Sequence, residues 1–141
     1  LNNKSLPIYG KGKNVREWIY VKDNCEALYK IFKQGKIGEN YNVGTGTRLK
    51  NIDLVKKILS IVKKKQIPLG KKTKILYVKD RPGHDTRYAL NSNKIRRKLN
   101  WKHKTSLEKG LSQTIEWYLN NKEFFDKISN RDFTKRLGLK I

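Results

Sequence analysis

Methionine is absent from the 141 residues, cysteine occurs once, histidine twice and proline three times. A lone Cys25 excludes an internal disulfide, and one cysteine with His84 and His103 offers no ligand set spaced like a zinc site. The expectation is a reducing compartment and no metal. No apolar run approaches the roughly 18 residues of a membrane span, and the first residues carry no apolar core of a signal peptide, so the cytoplasm is the expected location. The chain opens on Leu1 without a methionine, which reads as a fragment or a processed chain.

Acidic residues are scarce as well: 12 Asp or Glu stand against 34 Lys or Arg, a formal charge of +22. Such a charge raises the possibility of a nucleic-acid surface, because a basic face neutralises phosphates and releases counterions. The basic residues are mostly lysine, however, and they are scattered over every segment. Only Lys63 to Lys65 and Lys71 to Lys74 cluster. A bias of the whole chain is the simpler reading, with electrostatic attraction for small anions retained. The mean hydropathy of −0.81 does not imply disorder, since 36% of residues are hydrophobic and they run along most of the chain.

Short apolar runs alternate with amphipathic stretches, the pattern of an α/β or α+β domain. Strands are expected at Leu6 to Tyr9, Trp18 to Val21, Tyr41 to Val43 and Ile75 to Val78. Asp23 with Glu26 reads as a capping box opening a helix to about Lys33, ended by Gly35. Asn51 is placed as the cap of a helix whose Ile52, Val55, Ile58, Leu59 and Val62 share a core face. Ser92 caps a short helix through Leu99, and Thr105 with Glu108 opens another to about Asn120, with Leu107, Leu111, Ile115 and Tyr118 or Leu119 on its buried side. Beyond Lys122 one or two helical turns are expected.

Several motifs are decoys. Gly10-Lys11-Gly12 follows a strand but lacks the third glycine of a dinucleotide fingerprint, and Val15 to Val21 looks extended, so no helix N-terminus awaits a pyrophosphate. Tyr-x-x-x-Lys occurs at Tyr9/Lys13, Tyr29/Lys33 and Tyr118/Lys122, as chance produces in a lysine-rich chain. Cys25 reads as a small apolar filler in a helical first turn. Two segments resist dismissal: Pro7 to Asp23, with Arg16 between a glycine-broken turn and an aromatic stretch, and Asp80 to Ala89, whose Pro82-Gly83 turn fixes Arg81 near His84. Two guanidiniums and an imidazole on turns suit a diphosphate, because arginine donates in a fork that matches paired phosphoryl oxygens. The competing structural reading pairs these arginines on the surface with Glu17, Asp80 and Asp85.

The stretch Pro7-Ile8-Tyr9-Gly10-x-Gly12-x-Asn14-x-Arg16-x-Trp18-x-Tyr20-Val21-x-Asp23 resembles a segment shared by nucleotide-sugar dehydratases, epimerases and decarboxylases of the extended short-chain dehydrogenase/reductase family. Asp80-Arg81-Pro82-Gly83-His84-Asp85-x-Arg87-Tyr88-Ala89 is narrower and resembles the dTDP-glucose 4,6-dehydratase branch. Tyr41 to Gly44, Asn51, Lys94-Ile95, Leu99-x-Trp101 and Glu116 to Leu119 agree. The resemblance covers roughly Leu6 to Leu119.

That resemblance implies the C-terminal, substrate-binding part of an α/β enzyme whose N-terminal Rossmann core holds NAD and the catalytic groups. Neither is in this chain, so no catalytic or cofactor-binding residue is assigned here. It also implies a closed redox cycle, in which hydride leaves sugar C4 for NAD, water is eliminated across C5 and C6, and the hydride returns to C6. By resemblance, Pro7 and Tyr9 lie beside the thymine of a dTDP-sugar, Arg16 and Arg81 bind its diphosphate, and Asn51 and His84 make further nucleotide contacts. Residues 1–121 are the nucleotide-sugar-binding region, 122–141 a tail, and the complete enzyme is a homodimer bound neither to nucleic acid nor to a membrane. Between Gly44 and Asn51 the chain departs from the usual turn, and Arg48 has no family role. A related GDP- or UDP-sugar enzyme and a basic nucleic-acid-binding module stay open as alternatives.

Overall fold

A computed structural model of the chain describes residues 3–126. The element order is β1 (Leu6–Tyr9), β2 (Val15–Glu17), α1 (Val21–Gln34), β3 (Arg48–Lys50), α2 (Asn51–Lys64), β4 (Ile75–Val78), α3 (Asn93–Leu99), α4 (Leu107–Asn120) and α5 (Lys122–Asp126). The α/β class is as expected. The last expected turns are present to Asp126; the remainder of the tail lies outside the described residues.

β1 and β4 pair in parallel with Leu6 opposite Ile75 and Tyr9 opposite Val78. A parallel pair needs a long crossover, and β2, α1, β3 and α2 supply it. β2 and β3 form a separate antiparallel ribbon, with Arg16 opposite Leu49 and Glu17 opposite Arg48. The main core is small: Ala27 of α1 and Ile95 of α3 are fully buried with Leu99 and Trp101, and Ile19, Ile31, Tyr41 and Val43 pack around them. On α2, Leu54, Ile61 and Val62 are buried. α2 also touches α4, where Lys64 faces Glu108 and Lys65 faces Glu116.

Several expected boundaries are corrected. Trp18 to Tyr20 is not a strand, and Val21 is already helical. Pairing ends at Glu17 because β3 offers only three residues opposite β2. Asp23 is not the cap: Tyr20 holds that position, and the Asp23 carboxylate instead reaches across the chain to accept the backbone N–H groups of Lys104 and Thr105 at 3.2 and 3.0 Å. Tyr41 to Val43 packs on the core without a strand partner. The ribbon falls instead at Arg48–Lys50, where Leu49 stands alone between two cations and gives no apolar run. Lys50 occupies the cap position of α2, leaving Asn51 as its first residue, and Ser106, not Thr105, caps α4 by accepting from Lys109 N at 3.3 Å. Ser92 does stand at the cap of α3, although its hydroxyl donates to Gly44 O at 3.0 Å. Of the α2 core face, Val62 is buried and Ile52, Val55, Ile58 and Leu59 are half-buried, whereas Tyr118 of α4 is exposed.

Glu17 locks the ribbon to the rest of the chain. Its largely buried carboxylate accepts Gly46 N at 2.7 Å through Oε1 and Leu90 N at 3.2 Å through Oε2, and Arg48 Nε lies 3.5 Å from Oε2. A Cβ on Gly44 would sit 2.3 Å from Oε1, so glycine is required where the turn passes this carboxylate. Burial disfavours the charged form, but the Gly46 and Leu90 N–H groups and Arg48 together hold the Glu17 carboxyl below its ordinary value of 4.5.

One apolar face of α1 is exposed. Val21, Leu28, Tyr29 and Phe32 recur at helical spacing and are exposed, as is Cys25, which is therefore not a buried filler. Phe32 is 80% exposed while Trp101 is 3% exposed, and that contrast fixes the expected stabilities. Trp101→Ala should cost about 3–5 kcal/mol, whereas Phe32→Ala should stay within about 0.5 kcal/mol, both read from denaturant melts. The chain should also bind an apolar dye in its native state, and Phe32→Ser should lower that signal. For Glu17, a depressed folded-state pKa means a stabilisation present above pH 4.5 and lost as pH falls through the lower folded value. Glu17→Gln should therefore narrow the gap to the parent chain in acid melts, and a pH-independent difference would count against the clasp.

Candidate functional site

The two motif segments, far apart in sequence, are joined through backbone. Val15 N donates to Thr86 O at 2.8 Å and Tyr88 N to Val15 O at 3.1 Å, a parallel bridge of Val15 with Arg87. Asp85 O accepts from Asn14 Nδ2 at 3.1 Å and from Arg16 Nη2 at 2.9 Å. Arg16 Nη1 also donates to Val15 O at 2.8 Å, and the guanidinium lies over the Tyr88 ring, 4.3 Å from its centroid. The plane of Arg16 is thereby fixed by two hydrogen bonds and a cation–π contact.

Tyr88 donates its hydroxyl to the Asp85 carboxylate. That bond raises the phenol pKa, with the positive charges of Arg16 and Arg81 acting the other way. Arg81 N donates to Asp80 Oδ1 at 2.9 Å, and the same oxygen lies 2.6 Å from His84 Nδ1. The His84 imidazole holds the exposed Asp80 carboxyl below its ordinary value of 3.8. Tyr9, at the end of β1, meets His84 edge-on with ring centroids 6.0 Å apart.

Asn51 enters through backbone: Asn51 N donates to Asn14 O at 3.0 Å and Ile52 N to Gly12 O at 3.1 Å. Two of the N–H groups that a helix leaves free at its start are therefore spent on the glycine turn. Pro7 is exposed on β1, and pleating puts it on the same side as Tyr9, opposite buried Ile8. Of the six residues singled out from sequence, Tyr9 and His84 are in contact. Arg16 lies over Tyr88, Arg81 donates its backbone N–H to Asp80, Asn51 abuts the Asn14 loop, and Pro7 stands opposite Leu76 of β4.

The simple surface pairings are not what forms. Glu17 faces Arg48, not Arg16; Asp85 holds Arg16 through its carbonyl; and Asp80 takes a histidine and a backbone N–H. Arg48, without a role from sequence, pairs with Glu17 and approaches Leu90 O at 3.4 Å. Asn14 and Tyr88 were visible only as members of a motif. No local signal marks the ties of Asn14 and Arg16 to the Asp85 carbonyl, because those partners are about seventy residues away.

The residues present do not fit a dinucleotide. After Gly10 and Gly12 the chain enters strand β2 rather than a helix, and of the Tyr-x-x-x-Lys pairs, Tyr29 is 64% exposed with Lys33 over its ring. Among the described residues no group of three His, Cys, Asp or Glu could hold a metal, and no helix is long and apolar enough to cross a membrane. A concavity lined by Leu119 to Phe124 contains none of the six candidate site residues.

The chain resembles known proteins over most of its length. Residues 1–114 match a family model described as GDP-mannose 4,6 dehydratase. A dTDP-glucose 4,6-dehydratase of Escherichia coli K12 is 45% identical over 132 residues, covering 92% of this chain and 36% of its own length. One from Neisseria meningitidis serogroup B is 40% identical, covering 98% and 41%. Among solved structures, a dTDP-glucose 4,6-dehydratase from Streptomyces venezuelae with NAD and TYD bound superposes with a TM-score of 0.77 at 34% identity, over 87% of this chain and 36% of that one. The chain thus spans about 36–41% of the length of the curated relatives it matches. With four-fifths of its residues inside one family model, the chain belongs to the GDP-mannose 4,6-dehydratase family of extended short-chain dehydrogenases/reductases.

Proposed function

We propose that this chain is the nucleotide-sugar-binding part of an NAD-dependent dTDP-glucose 4,6-dehydratase, which converts dTDP-glucose to dTDP-4-keto-6-deoxyglucose with loss of water. The observation that carries this reading is the joining of the two motif segments at the Val15–Arg87 bridge, where the Asp85 carbonyl and the Tyr88 ring fix Arg16 and Asp80 holds His84. Arg16 and Arg81 grip the diphosphate, Pro7 and Tyr9 flank the base, and Asn51 and His84 make further contacts to the nucleotide. Residues 1–121 form this region and 122–141 its tail. The dTDP assignment over a GDP- or UDP-sugar is supported by the dTDP-glucose dehydratases among the relatives, at 35–45% identity.

NAD belongs to the part of the enzyme that these residues do not supply, and no hydride or proton step is assigned to this chain. Its task is to hold a remote part of the substrate, so that binding energy gathered at the nucleotide positions the sugar. The whole enzyme acts in the cytoplasm as a homodimer. The exposed α1 face then belongs against the rest of the enzyme.

Two outcomes test this reading. If each arginine supplies charge-assisted hydrogen bonds of about 1.5–3 kcal/mol, Arg16→Ala and Arg81→Ala should each weaken dTDP binding roughly 10- to 150-fold in calorimetric titration. Lysine at either position should rescue only in part. Lys64→Ala, in a basic cluster, should change little; a nucleic-acid-binding module predicts the opposite ranking and a steep salt dependence of oligonucleotide affinity. The second outcome concerns chemistry: the chain alone should show no turnover of dTDP-glucose with added NAD. Turnover abolished by substituting Tyr9, Tyr29 or Tyr118 would show that one of the Tyr-x-x-x-Lys pairs is catalytic after all.

A further inference from the structure

The nucleotide site holds a pair that the proposed contacts do not explain. Asp80 Oδ1 lies 2.6 Å from His84 Nδ1 and also accepts Arg81 N at 2.9 Å. The His84 side chain is only 7% exposed, against 44% for Asp80, so the imidazole is enclosed while its carboxylate partner stays wet. The edge of Tyr9 bounds the ring on another side. The ring makes its hydrogen bond through Nδ1, and Nε2 is not among the buried unpaired atoms, so it is the nitrogen left open to a ligand.

We propose that Asp80 is a positioning residue that holds His84 with its hydrogen on Nδ1, leaving Nε2 as the atom offered to the bound nucleotide. An ionised carboxylate can only accept, so a contact of 2.6 Å requires Nδ1 to donate. The hydrogen bond at one ring nitrogen sets what the other can do. With hydrogen on Nδ1, a neutral Nε2 accepts from a ligand hydroxyl, and a protonated Nε2 donates to a phosphate oxygen. The opposite tautomer would set the Nδ1 lone pair against Asp80. In water a neutral imidazole favours hydrogen on Nε2, so Asp80 works against the intrinsic preference.

The backbone is shaped to permit the contact. Gly10 follows β1 at φ +53°, and a Cβ there would stand 2.8 Å from Asp80 Oδ2. A side chain at position 10 would be strained by its own backbone and would push the carboxylate aside. The glycine after Tyr9, the carboxylate after β4 and the histidine beyond the Pro-Gly turn thus form one chain of placement: Gly10 makes room for Asp80, and Asp80 orients His84.

The role of Nε2 rests on the nucleotide-site reading, whereas the hold of Asp80 on His84 does not, and the experiment separates them. The chain has two histidines, so long-range 1H–15N spectra of the 15N-labelled protein resolve two imidazoles, and His84→Gln assigns them. At alkaline pH, His84 should show a pyrrole-type Nδ1 and a pyridine-type Nε2. Asp80→Ala, and independently Gly10→Ala, should move it toward the Nε2–H form. In dTDP titrations, Asp80→Ala should weaken binding about 3- to 10-fold, the worth of one oriented hydrogen bond, and should have no further effect in the His84→Gln background. Hydrogen on Nε2 in the parent protein, an unchanged tautomer in Asp80→Ala, or an equal Asp80→Ala effect in both backgrounds would overturn the proposal. Failure of the parent chain to bind dTDP would overturn the nucleotide-site reading instead, with the spectra still deciding whether Asp80 holds His84.

Discussion

The chemistry of this molecule hangs on a parallel bridge one residue wide. Val15 exchanges hydrogen bonds with Thr86 and Tyr88, and the Asp85 carbonyl beside it takes both Asn14 and Arg16. Closing a loop of about seventy residues costs chain entropy that no single hydrogen bond of about 1 kcal/mol repays. The bridge persists because the β1–β4 pairing and the seating of α2 on the Gly12–Asn14 turn have already brought the segments together. The glycine turn thus serves two purposes: its carbonyls satisfy the start of α2, and its exit delivers Arg16 to Tyr88.

In a chain of +22 charge the few carboxylates matter more than the many lysines. Glu17 gathers Gly46 N, Leu90 N and Arg48; Asp23 takes the N–H groups of Lys104 and Thr105; Asp80 holds Arg81 N and His84. Glu17 and Asp23 join parts of the chain that secondary structure leaves apart, and all three accept backbone N–H groups that would otherwise lack partners. Most lysines, by contrast, are exposed, and an exposed ion pair such as Lys64 with Glu108 adds little. The positive field is therefore a background that favours anions.

The exposed face of α1 and the small core belong together. Ala27 and Ile31 of α1 face inward, while Val21, Leu28, Tyr29 and Phe32 face out. The helix is apolar on two sides, as a helix between two layers is. That two-sidedness accords with a chain that spans only 36–41% of the length of its curated relatives.

Much was fixed by the sequence itself. β1, β4, α2, α3 and α4 follow from apolar periodicity and turn residues within a residue or two, because those signals are local. The family was legible in two motif segments, and so were Arg16, Arg81 and His84 as their chemical content. Tertiary structure alone decided the rest. It placed the second ribbon at Arg48–Lys50, which has no apolar run, because Glu17 and β2 hold it there. It moved Asp23 from a cap to a tie and gave Asp80 its histidine. It also turned Asp85 from a counter-ion into a carbonyl acceptor for Arg16. For Glu17, Asp23 and Asp85 the physical reason is the same: an acceptor oxygen bonds whichever N–H the fold brings within about 3 Å, and which one arrives depends on loop closures that no local window of sequence contains.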